Sequence, residues 1–251
     1  MDLPTLYFCR YPILFIIINL CLFCRCSNEL DNCFFLTDDK VQRKYDLDAF
    51  NTVKSTLKGN YVFKQGEKYQ IEITGHPRYI DSLSKRVYKQ QLSLSNQYPF
   101  CHKDNQYEIT VILPQLKKLF IDAESRITIE DFKDQSELDI KLSQKSFLDI
   151  KRYKGLRSFY AFISQDAEIA CVEEHEPLEE INIVIEGKGR FLGYTLPAKN
   201  VKVNILGKGY CEVNAIEKLH IEIKGQANVY AKGMPSLYKR ITGQGDVYFT
   251  D

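Results

Sequence analysis

The last third of the chain alternates apolar and polar residues in short runs, and each run ends at a glycine. An apolar residue at every second position is typical of a β-strand with one buried face. A glycine directly after the strand favours a turn, because glycine adopts positive φ at little cost. The pattern therefore predicts a repeated unit of strand, glycine turn and strand. In chain order the runs are Ile181, Ile183, Ile185 and Gly187; Val201, Val203, Ile205 and Gly207; Leu219, Ile221, Ile223 and Gly225; Leu237, Ile241 and Gly243.

The step between these glycines is roughly 20 residues, a spacing typical of stacked repeats. A hairpin meander could carry the same alternation. Equal steps with equivalent residues favour a β-solenoid instead, in which each rung covers the apolar face of its neighbour. Weaker copies at residues 122–129, 138–150 and 159–171 extend the pattern backward. We therefore predict about seven rungs over residues 115–251.

The residues before the repeat also carry β patterns. Two runs, residues 60–64 and 69–74, flank the segment Gln65-Gly66-Glu67-Lys68 and are typical of a β-hairpin. No Pro-, Gly- or Ser-rich linker separates them from the repeat. We predict a single all-β domain over residues 48–251, in which strands of residues 48–114 start or cap the solenoid and cover its open edge.

The N-terminal segment predicts export. Residues 11–24 are almost wholly apolar, a run too short for a comfortable membrane span and typical of a signal peptide. We predict a lipoprotein-type export signal over residues 1–25, lipidation at Cys26, and a tether with an N-terminal strand over residues 26–47. The alternative is a retained anchor helix over residues 3–24. In both cases the rest of the chain lies in the cell envelope, attached to or near a membrane.

The cysteines fit an exported protein. Five of the eight follow the apolar run, and lipidation of Cys26 would leave an even four. Cys33 and Cys101 border β-rich segments outside the repeat, and in an oxidising compartment we predict a disulfide between them. Cys171 and Cys211 stand at different phases of their rungs, so we predict that both are buried as small hydrophobic residues.

Charge and motif content narrow the range of functions that the sequence allows. The chain has 34 Lys and Arg residues against 33 Asp and Glu residues, which removes the usual electrostatic argument for a nucleic-acid partner. The Gly-x-Gly turns are followed by strands, whereas a phosphate-binding loop needs a helix there. The acidic run at residues 173–180 lacks the spacing of a calcium or lyase site and is predicted to be a solvated loop. We predict no catalytic residue, no metal site and no cofactor.

Stacked rungs would align outward-facing side chains in columns. Aromatic rings beside amides and carboxylates suit contact with a glycan or a protein. The alternative is a ladder of similar residues that only stabilises the sheet face. The predicted binding face, with Glu212 and Lys232 nearby, consists of Tyr210, Asn228, Tyr230, Asp246 and Tyr248.

Several segments, taken in their order along the chain, resemble those of a known family. These segments are Asn32-Cys33-Phe34, Gln65-Gly66, Ile71-Glu72-Ile73-Thr74-Gly75, Val111-Ile112-Leu113-Pro114, Leu196-Pro197-Ala198-Lys199, Gly207-Lys208-Gly209, Asn228-Val229-Tyr230 and Ile241-Thr242-Gly243-Gln244-Gly245-Asp246-Val247. Together they resemble the family called putative auto-transporter adhesin, head GIN domain. The resemblance implies an all-β, helically coiled fold, possible oligomers and an unassigned role in the envelope. The turns at residues 122–126, 143–146 and 164–168 depart from the Gly-Ser-Gly-Asp-like turns that the family tends to keep.

We therefore expect a non-enzymatic binding or adhesion module in the cell envelope. Its expected partner is a glycan, a protein or another copy of the chain. A carbohydrate-active enzyme on the same architecture and a purely structural envelope component are the alternatives, because a fold does not determine a function.

Overall fold

The computed structural model describes residues 40–96 and 107–250. These residues lie within one compact unit, Thr37–Asp251. The predicted export signal, the lipidation at Cys26 and the Cys33–Cys101 disulfide fall outside the described residues.

The described residues form strands almost throughout, with one short helix. Before the repeat, the elements are β1 (Val41–Asp46), β2 (Thr52–Ser55), β3 (Gly59–Gln65), β4 (Gln70–Gly75), α1 (Pro77–Asp81), β5 (Leu83–Tyr88), β6 (Gln91–Asn96) and β7 (Tyr107–Leu113). The remaining elements are β8 (Lys118–Ile121), β9 (Ser125–Ile129), β10 (Glu137–Leu142), β11 (Phe147–Ile150), β12 (Ser158–Ile163), β13 (Glu168–Cys171), β14 (Leu178–Gly187), β15 (Arg190–Gly207), β16 (Tyr210–Gly225), β17 (Asn228–Lys232), β18 (Ser236–Gly243) and β19 (Asp246–Phe249).

The strands stack in parallel as the two faces of a coil, and the chain crosses from one face to the other at every turn. The first face runs in the order β6, β2, β8, β10, β12, β14, the second half of β15, the second half of β16, and β18. The second face runs in the order β7, β3, β9, β11, β13, the first half of β15, the first half of β16, β17 and β19. The fold is a β-solenoid of about 6 turns, which confirms the predicted class.

The core runs along the inside of this coil. Ile183 is aligned with Val203 and Val203 with Ile221 across the parallel strands, and all three side chains are fully buried. Each such side chain contributes about 1.5–3 kcal/mol when it leaves water. The apolar side chains of a single rung would be open to solvent above and below. The core therefore depends on the neighbouring rungs that cover them.

Glycine turns hold the later rungs in register. The backbone φ is 131° at Gly207, 142° at Gly225 and 136° at Gly243, a region that residues with a side chain rarely adopt. The amide after each glycine bonds to the previous rung; for example, the Gln226 N–H donates to the Gly207 carbonyl over 2.8 Å. A Cβ on Gly225 would stand 2.2 Å from that same carbonyl oxygen. Close backbone stacking therefore requires glycine here.

The earlier turns reach the same stacking without glycine. Gln144 and Gln165 have φ values of 60° and 58°, in the left-handed region that a polar residue can occupy at a modest cost. Gly187, with φ of 75°, stacks directly on Gln165 and marks the change from one kind of turn to the other. The departure from the glycine-rich pattern in the first rungs therefore changes the turn conformation but keeps the coil.

The N-terminal strands cap one end of the solenoid, as predicted. β4 pairs antiparallel with β7 on the second face, and β5 pairs antiparallel with β6 on the first face. α1 connects β4 to β5, and β1 pairs antiparallel with the outer edge of β4. These additional antiparallel strands cover the apolar end of the coil.

The predicted hairpin around Gln65-Gly66 is wrong, although the strands on both sides of it exist. β7 lies between them, because β3 pairs with one edge of β7 and β4 with the other. The Gly66 N–H donates to the Leu113 carbonyl over 3.1 Å, so the connection passes over the end of β7. The hairpin of this region is formed by β5 and β6, whose turn residues Lys89 and Gln90 both have positive φ, as a two-residue turn requires.

The opposite end of the coil is open in the described residues. β18 and β19 form the last rung, and Leu237 and Phe249 are 38% and 50% exposed. Lys239 occupies the inward position next to Ile221, and its ammonium lies 3.4 Å from the Asp246 carboxylate. A charged residue at an inward position of an edge strand is a common means of discouraging association.

Candidate binding face

The predicted binding residues lie together on the outer side of the second face, near its open end. Tyr210, Asn228 and Asp246 occupy equivalent positions on β16, β17 and β19. Two residues further along each strand, Tyr230 and Tyr248 align with each other. Parallel strands about 4.8 Å apart bring side chains at equivalent positions into contact.

Three tyrosines form a stack, called here the tyrosine ladder: Tyr210, Tyr230 and Tyr248. The ring centroids of Tyr210 and Tyr230 are 5.1 Å apart, and those of Tyr230 and Tyr248 are 5.3 Å apart. The Arg190 guanidinium covers the far side of the Tyr210 ring, 5.2 Å from its centroid, and is held there by an ion pair with Glu168 at 3.0 Å. The inner rings therefore have both faces engaged, whereas Tyr248 is 45% exposed in the last rung.

The polar groups beside the ladder are already partly engaged. The Asn228 side-chain oxygen accepts a hydrogen bond from the Asp246 N–H over 3.2 Å. Asp246 Oδ1 accepts from the Val247 N–H at 2.8 Å and from Lys239 at 3.4 Å. These contacts, first the backbone bond and then Lys239, lower the pKa of Asp246, so this carboxylate stays ionised at neutral pH. The Tyr210 hydroxyl donates to Glu212 over 2.6 Å, and this bond is the main cause of the raised pKa of Tyr210.

Two residues of this binding face, Arg190 and Tyr194, were missed by the sequence analysis. Arg190 follows the first Gly-x-Gly turn, and aligning that turn with the next one would have placed it beside Tyr210. Tyr194 gave no such signal, because the register between β15 and β16 shifts between Gly193 and Pro197. The Lys232 ammonium lies 4.8 Å from the Tyr194 ring centroid, which extends the aromatic surface beside the ladder.

The acidic run at residues 173–180 is used for contacts within the coil. Glu173 pairs with Arg152 over 2.8 Å. His175 is only 8% exposed; its Nδ1–H donates to the Glu173 carbonyl over 2.7 Å, and its Nε2 accepts from the Tyr153 N–H over 3.3 Å. Within the described ranges, no group of three or more His, Cys, Asp or Glu residues could hold a metal ion.

The two cysteines of the repeat are buried, as predicted. Cys171 is 6% exposed, Cys211 is fully buried, and both are free thiols. Burial raises the pKa of Cys171 to about 12 and raises that of Cys211 as well, so neither thiol is available as a nucleophile.

The single helix in residues 40–96 and 107–250, α1, lacks the length and apolar character needed to cross a membrane.

A family model matches residues 49–235, which include most of the solenoid and two of the three ladder tyrosines. Its description is "Putative auto-transporter adhesin, head GIN domain". The chain belongs to this head GIN domain family. The open end of the ladder, with Asp246 and Tyr248, lies beyond the matched span. No curated protein matches the sequence.

Solved structures share the fold at low sequence identity. A protein of Bacteroides fragilis described as a putative adhesin is 19% identical, with a TM-score of 0.77 over 85% of this chain and 98% of its own. A putative adhesin of Parabacteroides merdae is 18% identical, with a TM-score of 0.66 over 86% of this chain and 98% of its own. A protein of Parabacteroides distasonis described as a putative lipid binding protein is 14% identical, with a TM-score of 0.66 over 86% and 98%. The adhesin description of the family suggests an extracellular or envelope-exposed protein.

Proposed function

We propose that this head GIN domain protein is a non-enzymatic adhesion module of the cell envelope, which contacts a glycan or a protein through the open end of its tyrosine ladder. One observation carries the proposal: the ladder is closed by Arg190 at one end and ends at the other with a partly exposed ring, Tyr248. A partner ring or an apolar sugar face can continue the stack at that position.

The arrangement favours binding because it is fixed before a partner arrives. Tyr248 stacks on Tyr230 with an angle of 23° between the ring planes, so little side-chain freedom remains to be lost on binding. Asp246 and Asn228 lie beside the ring and can accept and donate hydrogen bonds at its edge. A rigid aromatic ring with polar neighbours is the usual centre of a binding hot spot.

The ladder offers a matched pair of variants. We expect Tyr248→Ala to weaken binding to a glycan array, or adhesion to immobilised matrix protein, by roughly tenfold or more. Tyr210→Ala removes a ring whose faces are already engaged, and we expect a change below about threefold. Tyr248→Phe keeps the ring face and should retain most of the binding.

Equal losses in Tyr210→Ala and Tyr248→Ala would contradict a site at the open end. If Tyr248→Ala leaves ligand binding unchanged, the tyrosine ladder only stabilises the sheet face and is not the binding site. Thermal unfolding of each variant shows whether the coil is intact.

Attachment to the membrane through a lipid on Cys26 is part of the proposal. The apolar run before Cys26 and the polar residues after it support this attachment. Cells grown with a labelled fatty acid should incorporate the label into the wild-type protein and not into Cys26→Ser. A label that persists in Cys26→Ser would exclude lipidation at this cysteine.

A further inference from the structure

A groove of about 170 Å³ lies on the outer side of the first face, far along the coil from the tyrosine ladder. It is lined by Lys54, Ser55, Phe120, Ile121, Asp122, Lys141, Leu142, Ser143, Phe162 and Ser164. The exposed lining is almost entirely apolar.

The groove is built from one column of outward-facing residues. Lys54, Phe120, Lys141 and Phe162 occupy equivalent positions on the neighbouring strands β2, β8, β10 and β12. The two aromatic rings are two strands apart, roughly 10 Å, and Lys141 lies between them with its ammonium 5.2 Å from the Phe120 ring centroid. Lysine and phenylalanine therefore alternate along the solenoid axis.

The polar groups at the edge of the groove already have partners. The Ser143 hydroxyl donates to Asp122, and the Gln144 amide donates to the same carboxylate oxygen over 3.4 Å. The Ser164 hydroxyl donates to the Leu142 carbonyl over 3.4 Å. A sugar ring in this groove would find donors only at the rim lysines, so most of its hydroxyls would lose water without gaining partners, which is costly. A hydrocarbon chain has no such groups and gains from leaving water.

The charge at the rim favours an anion. Neither Lys54 nor Lys141 forms an ion pair within the described residues, whereas Lys58, Lys117, Lys151 and Lys199 each pair with a carboxylate. The nearby carboxylates are Asp122, which holds the two donors above, and Asp139, two residues before Lys141 on β10. Long lysine side chains can lie along an apolar surface and present their ammonium groups to a ligand at its edge.

We propose that this groove binds the acyl chain of a fatty acid, with the carboxylate at Lys54 and Lys141 and the hydrocarbon against the outer faces of the Phe120 and Phe162 rings and the apolar stem of Lys141. The volume is smaller than the roughly 300 Å³ of typical small-molecule pockets, so the groove holds one stretch of the chain and leaves the rest outside. The site is on a different face from the tyrosine ladder and does not depend on the proposed adhesion.

The test is a titration of the full-length protein with decanoate, octanoate and decanol, followed by calorimetry or by displacement of a fluorescent fatty acid. Each buried CH₂ group raises affinity about fourfold, so decanoate should bind more tightly than octanoate. Decanol, which has the chain without the charge, should bind at least about fivefold more weakly than decanoate.

Variants separate the two halves of the proposal. Phe162→Ala should weaken decanoate and decanol alike. The double variant Lys54→Gln and Lys141→Gln should weaken decanoate and leave decanol unchanged. Lys202→Gln, on the same face outside the groove, is the matched control and should change neither. Tyr248→Ala should leave decanoate binding intact, which separates this site from the adhesion site.

Several results would overturn the proposal. One is equal affinity for decanoate and decanol, and another is unchanged decanoate affinity in Phe162→Ala. A third is no detectable binding at a decanoate concentration of about 1 mM, which corresponds to a weak dissociation constant. Binding to phosphatidylglycerol vesicles without binding of free decanoate would assign the groove to a membrane surface instead.

Discussion

At the scale of single residues, His175 shows how a polar side chain can be part of the core. It joins two rungs, because it accepts a hydrogen bond from the Tyr153 N–H and donates one to the Glu173 carbonyl. Burial is the main cause of its lowered pKa. The folded state therefore favours neutral imidazole, whereas the unfolded chain takes up a proton near the ordinary pKa of about 6.5. Since the unfolded state binds more protons, this residue makes stability rise with pH and fall below about pH 6.5.

We predict that acidification destabilises the wild-type protein more than a His175→Gln variant. The imidazolium would lose the acceptor at Nε2 and place a charge where water is excluded. Urea unfolding at pH 7.5 and pH 5.0 measures the effect, with His220→Gln on the exposed side of the first face as the control. The prediction fails if His175→Gln loses as much stability as the wild type between these two pH values.

At the scale of the elements, the stacked glycines determine how closely one turn approaches the next. Gly187 and Gly225 occupy equivalent turns but differ in conformation, with φ of 75° and 142°. A Cβ on Gly187 would lie 3.4 Å from Gln165, an ordinary contact, whereas a Cβ on Gly225 would lie 2.2 Å from a carbonyl oxygen. The two positions therefore differ in their tolerance of a side chain.

We predict that Gly187→Ala costs about 1 kcal/mol of unfolding free energy, the usual cost of a left-handed alanine. Gly225→Ala should cost about 3 kcal/mol or more, because the turn must also move away from the previous rung. Chemical denaturation of both variants measures the difference. Equal losses would indicate that the turns relax easily and that the glycines are not required for close stacking.

The elements also show where sequence reasoning succeeds and where it does not. Alternation with a period of two placed Ile183, Val203 and Ile221 in one buried column, because equal steps imply equal register. The hairpin around Gln65-Gly66 failed because local pattern shows where a strand lies and not which strand lies beside it. β7, which separates β3 from β4, comes more than 30 residues later in the chain.

The same distinction applies to the two candidate sites. The tyrosine ladder could be predicted because its strands follow turns that begin with the aligned glycines Gly207, Gly225 and Gly243. The column of Phe120 and Phe162 could not, because the rungs that carry it use turns such as Gln144 without the double glycine. Tyr194 was hidden by the register shift after Gly193, which no periodic pattern reveals.

At the scale of the whole molecule, the two ends of the solenoid differ. Antiparallel strands and α1 cover the first end, whereas the last described rung exposes two edge strands together with Leu237 and Phe249. Such an end can pair with another copy of the chain. Lys239 opposes this pairing, because its charge occupies the position where the next buried isoleucine of the column would stand.

We predict that Lys239→Ile promotes association through this end, since it removes the inward charge and extends the apolar column beyond Ile221. Arg240→Ile adds the same side chain to the outer side of the same strand and is the matched control. Light scattering after size-exclusion chromatography should show a larger mass for Lys239→Ile than for the wild type and for Arg240→Ile at equal concentration. Equal masses for the two variants would mean that added hydrophobicity alone drives association. If the wild type already forms the larger species, Lys239 does not protect the end of the coil from association.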